Sequence, residues 1–359
     1  MIRTHVSTVQ ALGFAAMVGA CSSSASPASP ADGGSPGDGG VAVDSGNDAV
    51  DSGSDASDAQ GVDAAKEDAG AITEVPIPTA GANPSGITTG PDGNVWFTEN
   101  AMHAIGKITP AGVVTEFQTL TGDSYPWAIT SGPDGNLWFT EDKAHAIGRI
   151  TPAGVMTEFP VSADPLGITP GPDGNLWFVE AQGNKVGKIT VAGVVTELPV
   201  TASNGAPEGI AAGADGKLWF TETGSDKIGV ITTAGVITEY ALPTSNAQPS
   251  GIAAGPDGNV WFTEVNAGKI GRVTPAGVIT EFPITTAGSF PLSIASAPDG
   301  NLWFTENANN SLGRMTPAGV MVEFTLPTVK AGPGGICAGP DGNVWFTEGT
   351  ANEIGRFAL

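Results

Sequence analysis

Asp92-Gly93-Asn94-Val95-Trp96-Phe97 returns six more times along the chain with small changes, from Asp134, Asp173, Asp215, Asp257, Asp299 and Asp341. The intervals are 42, 39, 42, 42, 42 and 42 residues. Periods of this size, each holding several short strands, are the signature of propeller blades. Around the first copy, Gly86-Ile87-Thr88-Thr89 reads as a strand and Pro91-Asp92-Gly93-Asn94 as a turn. In that turn proline presets φ and glycine accepts a positive φ. Val95-Trp96-Phe97-Thr98-Glu99 is a second strand, rich in aromatic and β-branched residues. Ala104–Thr109 reads as a third strand, Pro110-Ala111-Gly112 as a turn and Val113–Phe117 as a fourth. No segment carries the 3.6-residue period of an amphipathic helix.

The ends of the chain decide how the ring closes. After Trp345 there is room for one more strand, Glu353–Phe357, so the last unit is one strand short. The phrase Ile72-Thr73-Glu74-Val75-Pro76 matches the fourth strands of the other units, such as Ile279-Thr280-Glu281-Phe282-Pro283. The expected fold is an all-β, seven-bladed β-propeller with four-stranded blades. Residues 72–78 complete the last blade and hide two sheet edges.

The residues before the propeller have another character. Ala11–Val18 is an apolar run too short to span a bilayer, and Val18-Gly19-Ala20-Cys21 resembles a bacterial lipobox. Residues 1–20 are expected to be a lipoprotein signal peptide and Cys21 the lipidated residue. Residues 21–71 carry ten acidic residues, one lysine and no aromatic residue. Such a segment reads as a disordered, self-repelling tether. The expectation is a secreted chain, lipid-anchored in the bacterial envelope at the outer membrane, with no other membrane contact. A monomer is expected. Cys337, the other cysteine, reads as a small core residue.

The 359-residue chain has a formal net charge of −23. Within residues 72–359, 27 acidic residues face 12 basic ones, which excludes nucleic acid as a partner because no basic stripe exists to neutralise phosphates. Most of this acid recurs at three repeated positions: the turn Asp, the Glu after Trp-Phe-x (Glu99 to Glu348) and the fourth-strand Glu (Glu74 to Glu323). A residue present in every blade serves the scaffold sooner than a single site. Lys107, Arg149, Lys188, Arg272, Arg314 and Arg356 share one third-strand position and are expected to pair with repeated carboxylates.

Two of the four connections in each unit are nearly invariant; the other two differ from blade to blade. In an up-and-down blade these pairs lie on opposite faces, so the variable face is the candidate ligand-binding surface. It carries Tyr125, Trp127, Asp164, Glu208 and Phe290. It also carries His103 and His145 at equivalent loop positions of adjacent blades. Those histidines are candidates for metal binding or proton transfer, and equally for copies of one loop that share a residue by duplication. There is no P-loop, nucleotide fingerprint, Cys-x-x-Cys pair or Ser-His-Asp order.

The phrase Pro-x-Gly-Ile-Thr-x-Gly-Pro-Asp-Gly-Asn-x-Trp-Phe-Thr-Glu, followed by Ile-Gly-Arg-Ile-Thr-Pro-x-Gly and Thr-Glu-Phe-Pro, resembles the virginiamycin B lyase (streptogramin lyase) family over residues 72 to 359. The resemblance implies a seven-bladed propeller and a Mg²⁺-dependent elimination that opens type B streptogramins, cyclic depsipeptide antibiotics. It implies a histidine base and metal-holding carboxylates. It places one metal-binding glutamate on Glu348, the catalytic histidine close to Gly334, a substrate-binding histidine close to Leu292 and a second metal carboxylate near Ala331 or Gly332. No histidine follows His145, and an elimination needs a base within about 3 Å of the proton it removes. Two readings follow: a binding module for a small cyclic peptide, glycan or protein on the variable face, or a lyase using Mg²⁺ at Glu348.

Overall fold

A computed structural model describes residues 72–359; the signal segment, Cys21 and the acidic tether lie outside the described residues. The described chain forms seven four-stranded antiparallel sheets. Blades 1 to 6 run Pro84–Gln118, Pro126–Pro160, Pro165–Pro199, Pro207–Ala241, Pro249–Pro283 and Pro291–Thr325. Blade 7 takes three strands from Pro333–Phe357 and its fourth from Ile72–Pro76. The first strand of each blade contacts those of both neighbouring blades, and blade 1 meets blade 7, so the innermost strands close a ring.

The expected strands are all present, with ends moved by one or two residues. The first begins at Pro84, the third ends at Ile108 and the fourth starts at Val114. The closing strand pairs Ile72 with Phe357 and Pro76 with Glu353. Beyond it, Ile77 N–H donates to the Asn352 carbonyl at 3.0 Å. The Asn352 side chain then ties the segment down. Its Nδ2 donates to the carbonyls of Ile77 and Thr79, and its Oδ1 accepts from Ala82 N–H at 2.6 Å.

The repeated residues explain the packing. Trp96 and its six equivalents are buried in the core. Each donates its indole N–H to the turn Asp four residues earlier, at 2.9–3.2 Å. That bond holds most turn carboxylates below the usual range against the opposing effect of burial. The third-strand Lys or Arg lies directly opposite the Trp and sits over its ring, as Lys107 does at 5.0 Å. Lys107, Arg149, Lys188 and Arg356 also reach the turn Asp, at 3.2–4.0 Å. The glycine of each Ile-Gly-Arg phrase makes room for the Phe of the second strand. A Cβ on Gly106 would lie 2.1 Å from the Phe97 ring.

Each Trp also cements the next blade. Trp138 packs with Ile168, Leu176, Phe178 and Ile189 of blade 3. Trp138→Ala is expected to cost about 3–5 kcal/mol, read as a lower denaturant midpoint with unchanged slope. Cys337 is half-buried on the innermost strand of blade 7, beside the cluster that holds Trp345, rather than wholly in the core. Burial pushes its thiol up to about 12, so it stays protonated and is no nucleophile. Among the described residues no helix is long and apolar enough to cross a membrane.

Candidate functional site

The three repeated acids have three different fates. The turn Asp binds its Trp. The fourth-strand Glu latches onto the preceding blade: Glu116 accepts from Thr79 N–H at 3.1 Å and from its hydroxyl at 2.9 Å. The same latch recurs at Glu158, Glu197, Glu281 and Glu323, and its backbone half at Glu239, where Ala202 takes the place of the threonine. Glu74 repeats it on Thr328 across the closure. The third set, from Glu99 to Glu348, is fully buried at the variable-face end of the second strands.

This buried set meets the latching set. Desolvation first, and the facing Glu116 next, push Glu99 up to about 8. The same causes, with Glu158 and Glu281 as the neighbours, push Glu141 and Glu264 up to about 8. In blades 3, 4 and 5 a lysine enters beside the pair: Lys185, Lys227 and Lys269 each sit 2.7 Å from the latching carboxylate. Blade 7 instead adds a third acid. Glu348, Glu74 and Glu353 offer carboxylate oxygens within 4.8 Å of one another, and no N–H or hydroxyl reaches either oxygen of Glu348. Desolvation, then Glu74 and Glu353, push Glu348 up to about 9. Three carboxylates in this arrangement suit a hard divalent cation in donor type. The resemblance expects a different partner for Glu348, near Ala331 or Gly332, and neither residue carries a carboxylate.

His103 and His145 each engage their own partners. Both sit in the loop before a third strand in a left-handed conformation, φ 52° and 49°. Asn184, Asp226, Asn310 and Asn352 occupy the same position in other blades, also at positive φ, and their side chains clip the following loop. His103 does the same work: its Nδ1 accepts from Tyr125 N–H at 3.3 Å, and its Nε2 faces Asp123 at 3.4 Å. His145 places Nδ1 3.1 Å from the buried Asp164 while its own side chain is half exposed. Desolvation, then Asp142, raise the Asp164 carboxyl, and Lys143 and His145 oppose that rise. Among the described residues neither histidine belongs to a group of three convergent metal-ligating side chains.

The variable face has other particulars. The residue before each first strand takes a left-handed φ in six blades: Asn83, Tyr125, Ala206, Gln248, Phe290 and Gly332. Asn and Gly do so readily; bulky residues rarely do. Tyr125 and Phe290 nevertheless stand there, 38% and 39% exposed. Tyr125 meets His103 edge-on at 4.8 Å. Trp127 is half-buried against the blade 3 cluster. Glu208 is half-buried, and desolvation raises its proton affinity.

The comparisons agree with this architecture. The model of the virginiamycin B lyase family matches residues 64–251 and 200–359. A selenomethionine-substituted virginiamycin B lyase from Staphylococcus aureus is 38% identical over 80% of this chain and 99% of its own, with a TM-score of 0.77. A streptogramin B lyase structure is 37% identical over 80% of this chain and 97% of its own, with the same TM-score. A catalytically inactive His-to-Ala variant of the Staphylococcus aureus virginiamycin B lyase with Quinupristin is also 37% identical, over 80% and 99%, at a TM-score of 0.77. No curated protein matches the chain. With every blade inside the matched span and the ring closed as expected, the chain belongs to the virginiamycin B lyase family.

Proposed function

We propose that the chain is an envelope-anchored, streptogramin-lyase-like propeller that works as a ligand- or protein-binding module through its variable face. One observation carries this reading. The resemblance puts the catalytic base close to Gly334, and no histidine follows His145 in the sequence to supply it. His103 and His145 sit instead in outer loops and clip or pair with their own neighbourhoods. The exposed aromatics Tyr125 and Phe290, held in a costly backbone conformation, support a recognition surface on the same face.

The competing reading, a lyase of type B streptogramins or related cyclic peptides, is favoured by Glu348, Glu74 and Glu353. These residues would hold Mg²⁺, which supplies Lewis-acid polarisation of a substrate oxygen. In that reading His145, oriented by Asp164, is the more exposed of the two described histidines and the candidate base. Incubation with a type B streptogramin and Mg²⁺, read by chromatography with mass detection, separates the two. The expected result is intact antibiotic while a control lyase turns over in the same buffer. A linear product of unchanged mass, suppressed by EDTA, would overturn the binding-module reading.

Lipidation at Cys21 supplies the anchor in this proposal. Cys21→Ser is expected to move the chain from the membrane fraction to the soluble fraction and to abolish labelling by a radioactive fatty acid. A variant that remains membrane-bound and labelled would remove Cys21 from the account.

A further inference from the structure

The second residue of each innermost strand forms a ring at the variable-face end: Ser85, Trp127, Leu166, Glu208, Ser250, Leu292 and Gly334. Only Glu208 ionises. Its Oε1 accepts from the Ser250 hydroxyl of the next blade at 2.7 Å. Its Oε2 lies 3.1 Å from the Thr223 hydroxyl, but that hydroxyl is 2.6 Å from the Pro249 carbonyl and has one proton to give. The shorter contact takes it, so Oε2 is left without a committed donor. The backbone of Glu208 is short of a donor too. At the other six seams a threonine of the second strand bonds the carbonyl of the next blade's ring residue, as Thr98 does to Trp127 and Thr140 to Leu166. Blade 3 has Val179 in place of that threonine, so the Glu208 carbonyl lacks the bond.

The two ring positions before Glu208 are apolar. Leu166 belongs to the buried cluster that also contains Val179, and Trp127 packs against that cluster. One arc of the mouth therefore runs from aromatic to aliphatic to acid. The acid carries two acceptor groups short of donors, on a propeller whose acidic excess draws cations.

We propose that this arc binds a small ligand carrying a primary ammonium beside an aromatic or aliphatic group. Glu208 takes the ammonium, and Trp127 with Leu166 takes the apolar part. An ammonium has three N–H donors and no acceptor, which matches what Oε2 of Glu208 lacks. The inference rests on the variable face being the ligand face and assigns the chemistry that face selects.

The test titrates the full chain with phenethylammonium, 2-phenylethanol and phenylacetate by calorimetry, and repeats it on Glu208→Gln. That variant keeps the size of the side chain and an acceptor for Ser250, and a thermal melt checks that it folds. The amine is expected to bind at least about tenfold more tightly than the alcohol, phenylacetate least, and Glu208→Gln to erase the preference. A parent chain that does not prefer the amine, or a variant that still does, overturns the proposal. Amide chemical-shift mapping separates the two levels. Shifts on the variable face that are indifferent to Glu208→Gln remove Glu208 but leave that face as the ligand surface. Shifts absent from that face remove both.

Discussion

A chain shortened to begin at Ala80 is expected to lose cooperative unfolding and to aggregate, while one beginning at Gly70 keeps the stability of the full chain. The shorter form lacks the strand that pairs with Glu353–Phe357, so blade 7 ends in an open edge. It also loses Ile77, which is 4% exposed, the half-buried Ile72 and Val75, the Glu74 latch on Thr328 and the bonds of Asn352 to Ile77 and Thr79. At about 1.5–3 kcal/mol for each well-buried aliphatic side chain, the apolar loss alone approaches ~5 kcal/mol. Whole domains are stable by only about 5–15 kcal/mol. Thermal unfolding and size-exclusion chromatography read the outcome. A synthetic peptide of residues 70–80, added in trans, is expected to restore part of the stability. An Ala80 chain that melts with the full chain would show that closure contributes little.

Alkaline pH is the second large lever. Glu222 and Glu306 are pushed up to about 7, Glu99, Glu141 and Glu264 to about 8 and Glu348 to about 9, each first by desolvation. In the unfolded chain these groups return to the ordinary glutamate range near 4.5. Between that range and the raised values the folded chain holds more protons than the unfolded one. Stability therefore falls as pH rises, being fully present below about pH 4.5 and lost progressively through about pH 7 to 9. Each tenfold displacement of proton affinity is about 1.4 kcal/mol, so a fraction of these displacements, summed over six blades, matches the stability of a whole domain. The melting temperature is expected to drop by at least ~10 °C between about pH 5 and about pH 9. Glu99→Gln combined with Glu264→Gln is expected to flatten the profile and stabilise the chain at the alkaline end. Those residues have no lysine or a single lysine beside them, and an amide there has no charge to desolvate. A flat or rising profile in the parent chain would mean that the pairs ionise without cost.

The lysines sharpen this picture. Blades 3, 4 and 5 compensate the pair with Lys185, Lys227 and Lys269, where blades 1, 2, 6 and 7 have Ala104, Ala146, Ser311 and Glu353 at the same strand position. The largest rise in proton affinity is in blade 7, the blade that contains the chain closure, where Glu353 stands in place of the lysine. Closure and proton occupancy meet at Glu348, whose neighbours Glu74 and Glu353 come from opposite ends of the described chain.

The repeat by itself determined the blade count, the four-strand unit, the closing segment and the division into a uniform and a variable face. These are backbone properties. The positions of Pro, Gly, Asp and the β-formers recur with the period, and each acts within its own few residues, so linear spacing is enough to read them. The expected pairing of third-strand cations with repeated carboxylates was legible for the same reason at Lys107, Arg149, Lys188 and Arg356, since the cation and the Trp that holds the turn Asp face each other across one hairpin. What side chains do between blades was decided only by the tertiary structure. Glu116 and Thr79 are 37 residues apart, and Glu74 and Thr328 are 254 apart. Nothing in the spacing tells one repeated glutamate from another. Only burial at the seam makes Glu99 a proton-holding acid and Glu116 a latch. The same holds for the histidines, which share a loop position with Asn184 and Asn352: His103 takes over the clip that position makes, and His145 pairs with Asp164 instead. It holds for Glu208, whose character comes from Ser250, Thr223 and Val179, three residues on three blades brought together by the packing of neighbouring blades.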